Sequence, residues 1–396
     1  MTVAETHRRP AEAGARGRRP SAAGTLAGLV VAVAAALALL LLEPVAKTAP
    51  PPGGRVAMAQ AWPHAKRIDF DPALADGPLF TPLAFLDTTT VLGTAPTPDA
   101  RWVRLLLIDI GARRPATGSV LSPAVGSSPA VGASAAGGLR ELRRLPLGSN
   151  PQFEAVTAAG DDLVWTESTD AHPVQLWHGT RGGGPARMLT ADTGDALFFG
   201  NQFDLVIADG QVHWAAAAKS GKSTDIRSVP LTGGPVRIRT ETGQWALSAW
   251  PWLVDDQERR LRNLATVRDT EVVTDGPELT TCGPVWCRAM VMGAGGLARI
   301  DLVHPDGSGR RRMAGSAAQA AVTDVAVLDR FEVLDEPAPD ADLTGKATLL
   351  VYDAATDRTV LIASAAGGAF TNGGMLWWST GDDDAPAWHA VDLRTA

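Results

Sequence analysis

Beyond residue 66 the chain is a succession of short apolar runs separated by Gly, Asp, Pro and Thr turns, and no stretch keeps a helical period. That pattern predicts an all-β fold built from many short strands. The runs recur in a fixed form: a turn residue, an apolar pair, then Trp. Copies stand at Asp162-Leu163-Val164-Trp165, Gln211-Val212-His213-Trp214, Gly283-Pro284-Val285-Trp286 and Gly374-Met375-Leu376-Trp377. Weaker copies stand at Pro251-Trp252-Leu253-Val254 and Arg330-Phe331-Glu332-Val333. The markers Trp165, Trp214, Trp252, Trp286, Phe331 and Trp377 lie 49, 38, 34, 45 and 46 residues apart. A second apolar strand follows most of them, as at Val174–Trp177, Ile226–Val229, Ala298–Leu302, Leu349–Asp353 and Trp388–Leu393, and an earlier copy is Trp102–Ile108.

A period of about 40–50 residues with several strands per repeat predicts a β-propeller. One blade cannot bury both of its faces alone, whereas packing between two neighbours does so and ring closure protects the edges. Counting the early copy gives seven blades; six result if the weak units near 252 and 331 are not blades. The last unit is one strand short, and Lys66-Arg67-Ile68-Asp69-Phe70 is placed to supply that strand and close the ring. The recurring Trp is expected to fill the space between blades rather than to stack on a ligand. These strand-turn units resemble the TolB-type and WD40-like bacterial β-propellers over about residues 67–396. The resemblance implies the propeller fold and a tendency towards protein binding, and it carries no site residues over.

The other strong hydrophobic pattern is Ala22–Leu42, 21 residues without a charge that end in four leucines. At about 1.5 Å per residue such a helix crosses a hydrocarbon core of about 30 Å. Arg8, Arg9, Arg16, Arg18 and Arg19 precede it and only Lys47 lies just after. The asymmetry predicts a single-pass membrane protein with a cytoplasmic N-terminus and an extracytoplasmic C-terminal domain. A cleaved signal peptide is the rival, with a small-residue site at Ala57-Met58-Ala59, but signal h-regions are shorter, about 7–15 residues. Residues 1–21 are expected to be a disordered cytoplasmic tail and 43–65 a Pro-rich stalk. Within the propeller, 111–139 reads as a flexible insert carrying the near-repeat Ser122-Pro123-Ala124-Val125-Gly126 and Ser128-Pro129-Ala130-Val131-Gly132.

Six of the 36 basic and three of the 43 acidic residues fall in the first 50, leaving the remainder with a formal net charge of −10. A nucleic-acid partner is therefore not expected. Cys282 and Cys287 are the only cysteines. In an oxidising compartment they predict a disulfide across the Gly283-Pro284 turn, worth about 2 kcal/mol for so short a loop. Two cysteines do not complete a zinc site, and they lack C-x-x-C redox spacing.

Candidate chemistry is sparse. Ser220-Gly221-Lys222-Ser223 lacks the first Gly of a P-loop, and Gly293-Ala294-Gly295-Gly296-Leu297-Ala298 leads into a strand rather than a helix, so both read as turns. No two of His64, His172, His178, His213, His304 and His389 have metal-ligand spacing. Asp382-Asp383-Asp384 reads as a solvated turn rather than a calcium loop. No catalytic, cofactor-binding or metal-binding residue is assigned, and no enzymatic activity is expected. The function expected is a membrane-anchored extracytoplasmic module that binds a protein, peptide or cell-wall partner. The alternative is an exported hydrolase or lyase with acidic residues or calcium at the central channel.

Overall fold

The computed structural model describes residues 54–111, 138–382 and 384–396. Among them the strands form seven sheets, spanning 81–146, 152–190, 195–242, 245–271, 278–315, 319–366 and 368–392. Within each of these spans, successive strands are hydrogen-bonded antiparallel, the first strand of the third being split in two, so each is a meander and the described residues form a seven-bladed propeller. The count settles on seven because the weak units near Trp252 and Phe331 are true second strands, Trp252–Asp255 and Phe331–Pro337.

The markers hold one structural position. Trp165, Trp214, Trp252, Phe331 and Trp377 lie on the second strands of blades two, three, four, six and seven, and Trp286 directly precedes that of blade five. Trp165, Trp214, Phe331 and Trp377 are buried in clusters that draw on adjacent blades. The aromatic ring thus fills the wedge between neighbouring sheets, where its large apolar area contributes most.

Ring closure comes from the N-terminal side. Arg67–Phe70 pairs antiparallel with the third strand of blade seven, Ala385–Asp392, in the register Arg67 to Val391 and Phe70 to Trp388. The carbonyl of Lys66 accepts from the amide of Asp392 (3.0 Å), and the Lys66 amide donates to the Thr395 hydroxyl (2.9 Å). The stalk expected to run to residue 65 ends earlier. Val56–Ala57 adds a parallel fifth strand to blade six, opposite Val360 and Leu361. Trp62 is buried edge-on against Phe331, with ring centroids 5.4 Å apart. Burying the indole fixes this segment to blade six, which Pro and Gly composition upstream did not foretell.

The apolar segment 22–42, the tail 1–21, the stalk up to residue 53 and the insert at 112–137 lie outside the described residues. Among the described residues no helix is long and apolar enough to cross a membrane.

The packing separates two tryptophans sharply. Trp214 is fully buried, and Trp102 is 36% exposed on blade one. Trp214→Ala is expected to cost about 3–5 kcal/mol through lost burial and the cavity left behind, whereas Trp102→Ala should stay within about 1 kcal/mol. Urea denaturation of the two variants checks this, and equal losses would contradict the wedge-filling role.

Candidate functional site

Blade three departs from the regular pattern at its first strand. Two short pieces, Asp195–Ala196 and Val206–Ala208, pair with opposite ends of Gln211–Ala217, and residues 197–205 loop out between them. The Asp204 carboxylate holds this loop by accepting the amides of Phe199 (2.8 Å), Gly200 (2.7 Å) and Asn201 (3.2 Å). Gly200 adopts φ +74°, which favours glycine at the turn. The loop tip reaches blades that are not neighbours of blade three. The Gln202 amide donates to Asp324 of blade six (3.4 Å), and its side-chain carbonyl accepts the Gly373 amide of blade seven (3.1 Å). The Thr323 hydroxyl donates to the Gly200 carbonyl (3.3 Å). The loop therefore crosses the axial channel.

Facing it, residues 321–330 of blade six follow an irregular path. Ala326, Leu328 and Asp329 have φ of +45°, +58° and +56°, a region that residues with a Cβ adopt at a cost. Neighbouring side chains hold them there. Arg288 of blade five is buried and donates to the carbonyls of Val322 (3.2 Å), Thr323 (3.2 Å) and Asp324 (3.3 Å) and to Glu332 (2.6 Å). Glu332 in turn accepts the Ala326 amide at 2.6 Å, and the Trp286 indole donates to the Asp329 carbonyl at 2.9 Å.

Between these elements lies a cavity of about 600 Å³. Asp255, Asp256, Glu258, Asp324 and Asp329 line it, with no Lys, Arg or His, and Phe199, Phe203, Val254, Trp286 and Leu328 give it apolar walls. A second cavity of about 340 Å³ shares Asn201, Gln202, Thr323 and Asp324 with the first, so the loop partitions the channel.

Burial dominates the acidity of these groups. It pushes Glu258 up to about 7, aided by the Asp255 charge and opposed by the Cys282 amide and by Arg288. It pushes Asp204 up to about 6 against three amide donors, with the Asp324 charge adding to the rise. Asp324 and Asp329 are raised for the same first reason.

The cysteines expected to pair are joined, on facing positions of the hairpin Glu278–Cys282 and Cys287–Gly293. Their turn forms part of the cavity wall, and the Cys282 amide donates to Glu258 at 2.9 Å. The other sequence candidates stay apart. Ser220–Ser223 and Gly293–Gly296 are hairpin turns between second and third strands. Asp382 and Asp384 flank such a turn in blade seven, and Asp383 lies outside the described residues. His64 and His172 are exposed, His178 binds Asp162 (2.7 Å), His304 stacks on Trp286, and His389 lies between Asp69 and Thr380. Among the described residues no three His, Cys, Asp or Glu are grouped as a metal would require. Sequence reasoning missed Asp204, Glu258, Asp324, Gln202 and Arg288, because the partners come from different blades. One signal was present: the 49-residue gap between Trp165 and Trp214 is the longest, and it contains the extra loop.

No protein-family model matches the sequence, and no curated protein matches it. Solved structures match by architecture. They include an oligogalacturonate lyase in complex with manganese (10% identity, 86% of this chain and 98% of that one, TM-score 0.43). They also include a puromycin hydrolase (13%, 85% and 54%, TM-score 0.42) and the WD40 domain of SCAP from fission yeast (9%, 87% and 97%, TM-score 0.38). The seven blades themselves rest on the sheet topology of the described residues. The expectation that this chain has no enzymatic activity is corrected: two of these propeller proteins are enzymes by name. The absence of a linear motif was a poor guide for a physical reason. Ring closure gathers carboxylates that are far apart in sequence.

The raised pKa values set the pH response of stability. Glu258 titrates near 4.5 when unfolded and near 7 when folded. Between those values the folded state holds more protons, so this group's contribution falls as pH rises from about 4.5 to about 7. Glu258→Gln keeps an acceptor for the Cys282 amide and removes the titration. The variant is expected to be more stable than the parent at pH 8 and to show a flatter stability profile across that window. Chemical denaturation as a function of pH checks it, and identical profiles would contradict the assignment.

Proposed function

We propose that the chain is an extracytoplasmic binding propeller, tethered by the apolar segment 22–42, whose axial cavity takes the ammonium-bearing end of a peptide or cell-wall partner. The observation that carries this reading is the lining: five carboxylates and no basic side chain around a cavity with apolar walls. Asp324 is buried, Glu258 half-buried and Asp255 paired with Arg260 (3.3 Å), while Asp256 and Asp329 are exposed, so a cation entering the cavity meets uncompensated negative charge at its lining. At an effective dielectric constant of about 20, an ammonium about 4 Å from one carboxylate gains about 4 kcal/mol. The apolar walls suit the body of a peptide side chain. The net charge of −10 beyond residue 50 argues against a nucleic-acid partner. The TolB-type resemblance and the positive N-terminal flank support placing the site outside the membrane.

A second reading is favoured by one observation. Glu258, poised at about 7 beside Asp255, has the acidity of a general acid or base at neutral pH. On this reading the partner is also a substrate, and the chain is a hydrolase or lyase working at its central channel.

One experiment addresses both. The full chain in detergent is titrated by calorimetry with short peptides bearing free or acetylated N-termini. Binding is expected to weaken at least about tenfold on acetylation and on Asp329→Asn, a substitution that the left-handed backbone at Asp329 tolerates. Indifference to acetylation would contradict the proposal. Product formation during incubation that Glu258→Gln abolishes would select the catalytic reading.

A further inference from the structure

Between blades six and seven, away from the axis, a hydroxyl, an imidazole and a carboxylate stand in line. Thr380 lies on Met375–Asp382, the second strand of blade seven, and His389 on Ala385–Asp392, the third. Asp69 lies on the closing strand, directly opposite His389. The Asp69 carboxylate meets His389 Nδ1 at 2.7 Å, and His389 Nε2 meets the Thr380 hydroxyl at 2.8 Å. A carboxylate only accepts, so in the neutral ring Nδ1 carries the proton and Nε2 is left as the acceptor. The Thr380 hydroxyl is then the donor, with its proton aimed at a base. Asp69 is exposed, so its hold on the ring is modest. Trp378 adds to that hold by stacking on the imidazole, the centroids 5.6 Å apart and the planes 24° from parallel.

Thr380 and His389 are half-buried and border one cavity of about 550 Å³, to which Met58, Leu361, Ile362 and Trp378 give apolar walls. The blade-six wall belongs to the strand Arg358–Ala366. Val56–Ala57 covers that strand only at Val360 and Leu361. From Ile362 to Ala365 its outer edge has no strand partner among the described residues. Backbone amides on such an edge are donors of the kind that steady a carbonyl oxygen as it gains charge.

We propose that this cavity is a catalytic site separate from the axial one, hydrolysing a small carboxylic ester with an apolar acyl group, with Thr380 as nucleophile and His389 as general base. Thr380 Oγ1 bonds to the ester carbonyl carbon as its proton passes to His389 Nε2. The intermediate expels the alcohol, which takes up that proton, and acyl-Thr380 remains. Water then attacks the acyl carbon and gives its proton to Nε2. The bond to Oγ1 breaks, Thr380 regains the proton, and the carboxylic acid leaves. Asp69 is a positioning residue, holding the tautomer from the far side of the imidazole. It arrives on the N-terminal strand, so the three groups meet only in the closed ring.

Activated esters test the proposal. The full chain in detergent is incubated with 4-nitrophenyl acetate and 4-nitrophenyl butyrate, and nitrophenolate release is followed. Thr380→Val, which keeps the branched shape of the side chain, and His389→Gln are each expected to lower turnover at least about tenfold. Thr380→Ser should retain it, and Asp69→Asn should lower kcat at least about threefold with KM unchanged. Mass spectrometry of the quenched reaction should find the acyl group on the peptide that carries Thr380. If His389→Gln fails to fold, the Thr380 variants and the trapped acyl group still decide. No turnover above buffer, turnover unchanged by Thr380→Val, a Thr380→Ser chain as inactive as Thr380→Val, or an acyl group found only elsewhere would overturn the proposal.

Discussion

Four residues, Arg67–Phe70, supply the backbone partners that the third strand of blade seven would otherwise lack. The last blade is built from three strands of the C-terminal segment and one from the start of the domain. Without that pairing the ring would end in an exposed edge of unpaired amides and carbonyls, and blades one and seven would share no strand-level bond. Each blade needs both neighbours to bury its faces, so a single open joint weakens burial around the whole ring. The buried Trp62 and the parallel strand Val56–Ala57 extend the hold to blade six.

The channel exists only because the ring is closed, and the axial cavity depends on it in turn. The loop 197–205 can bridge from blade three to blades six and seven only while those blades stand across the axis from it. Arg288 then ties blade five to the irregular 321–330 segment through three carbonyls and Glu332. These bonds hold three non-glycine residues in the left-handed region, where the backbone is costly and the local shape is specific. Five carboxylates thereby line one cavity, and burial, more than neighbouring charge, raises the pKa of Glu258 and Asp324 among them. Shape and charge at the site are thus products of inter-blade contacts rather than of any local motif.

That dependence explains what could be read from the chain. The blade count was legible because wedge filling demands a large aromatic at a fixed place in each repeat, and Trp165, Trp214 and Trp377 mark it. The closing strand was legible because the last repeat was visibly short. The Cys282–Cys287 pair was legible because its geometry is local to one turn. The cavity was not. Asp324 meets Gln202 across the axis, and Arg288 meets Glu332 between adjacent blades, so neither pairing is visible in the linear sequence. Residues 54–65 were misread as stalk because the upstream prolines and glycines masked the single anchoring Trp62. The absence of a catalytic pattern was likewise a statement about linear sequence, not about what the ring assembles.

The central claim is that the N-terminal strand closes the ring and thereby builds the channel. Hydrogen–deuterium exchange on chains beginning at residue 54 and at residue 75 tests it most directly. The account predicts that the shorter chain loses amide protection in 368–392, in the 197–205 loop and in 321–330, far from the deletion in sequence. Unchanged protection in those three segments would contradict it.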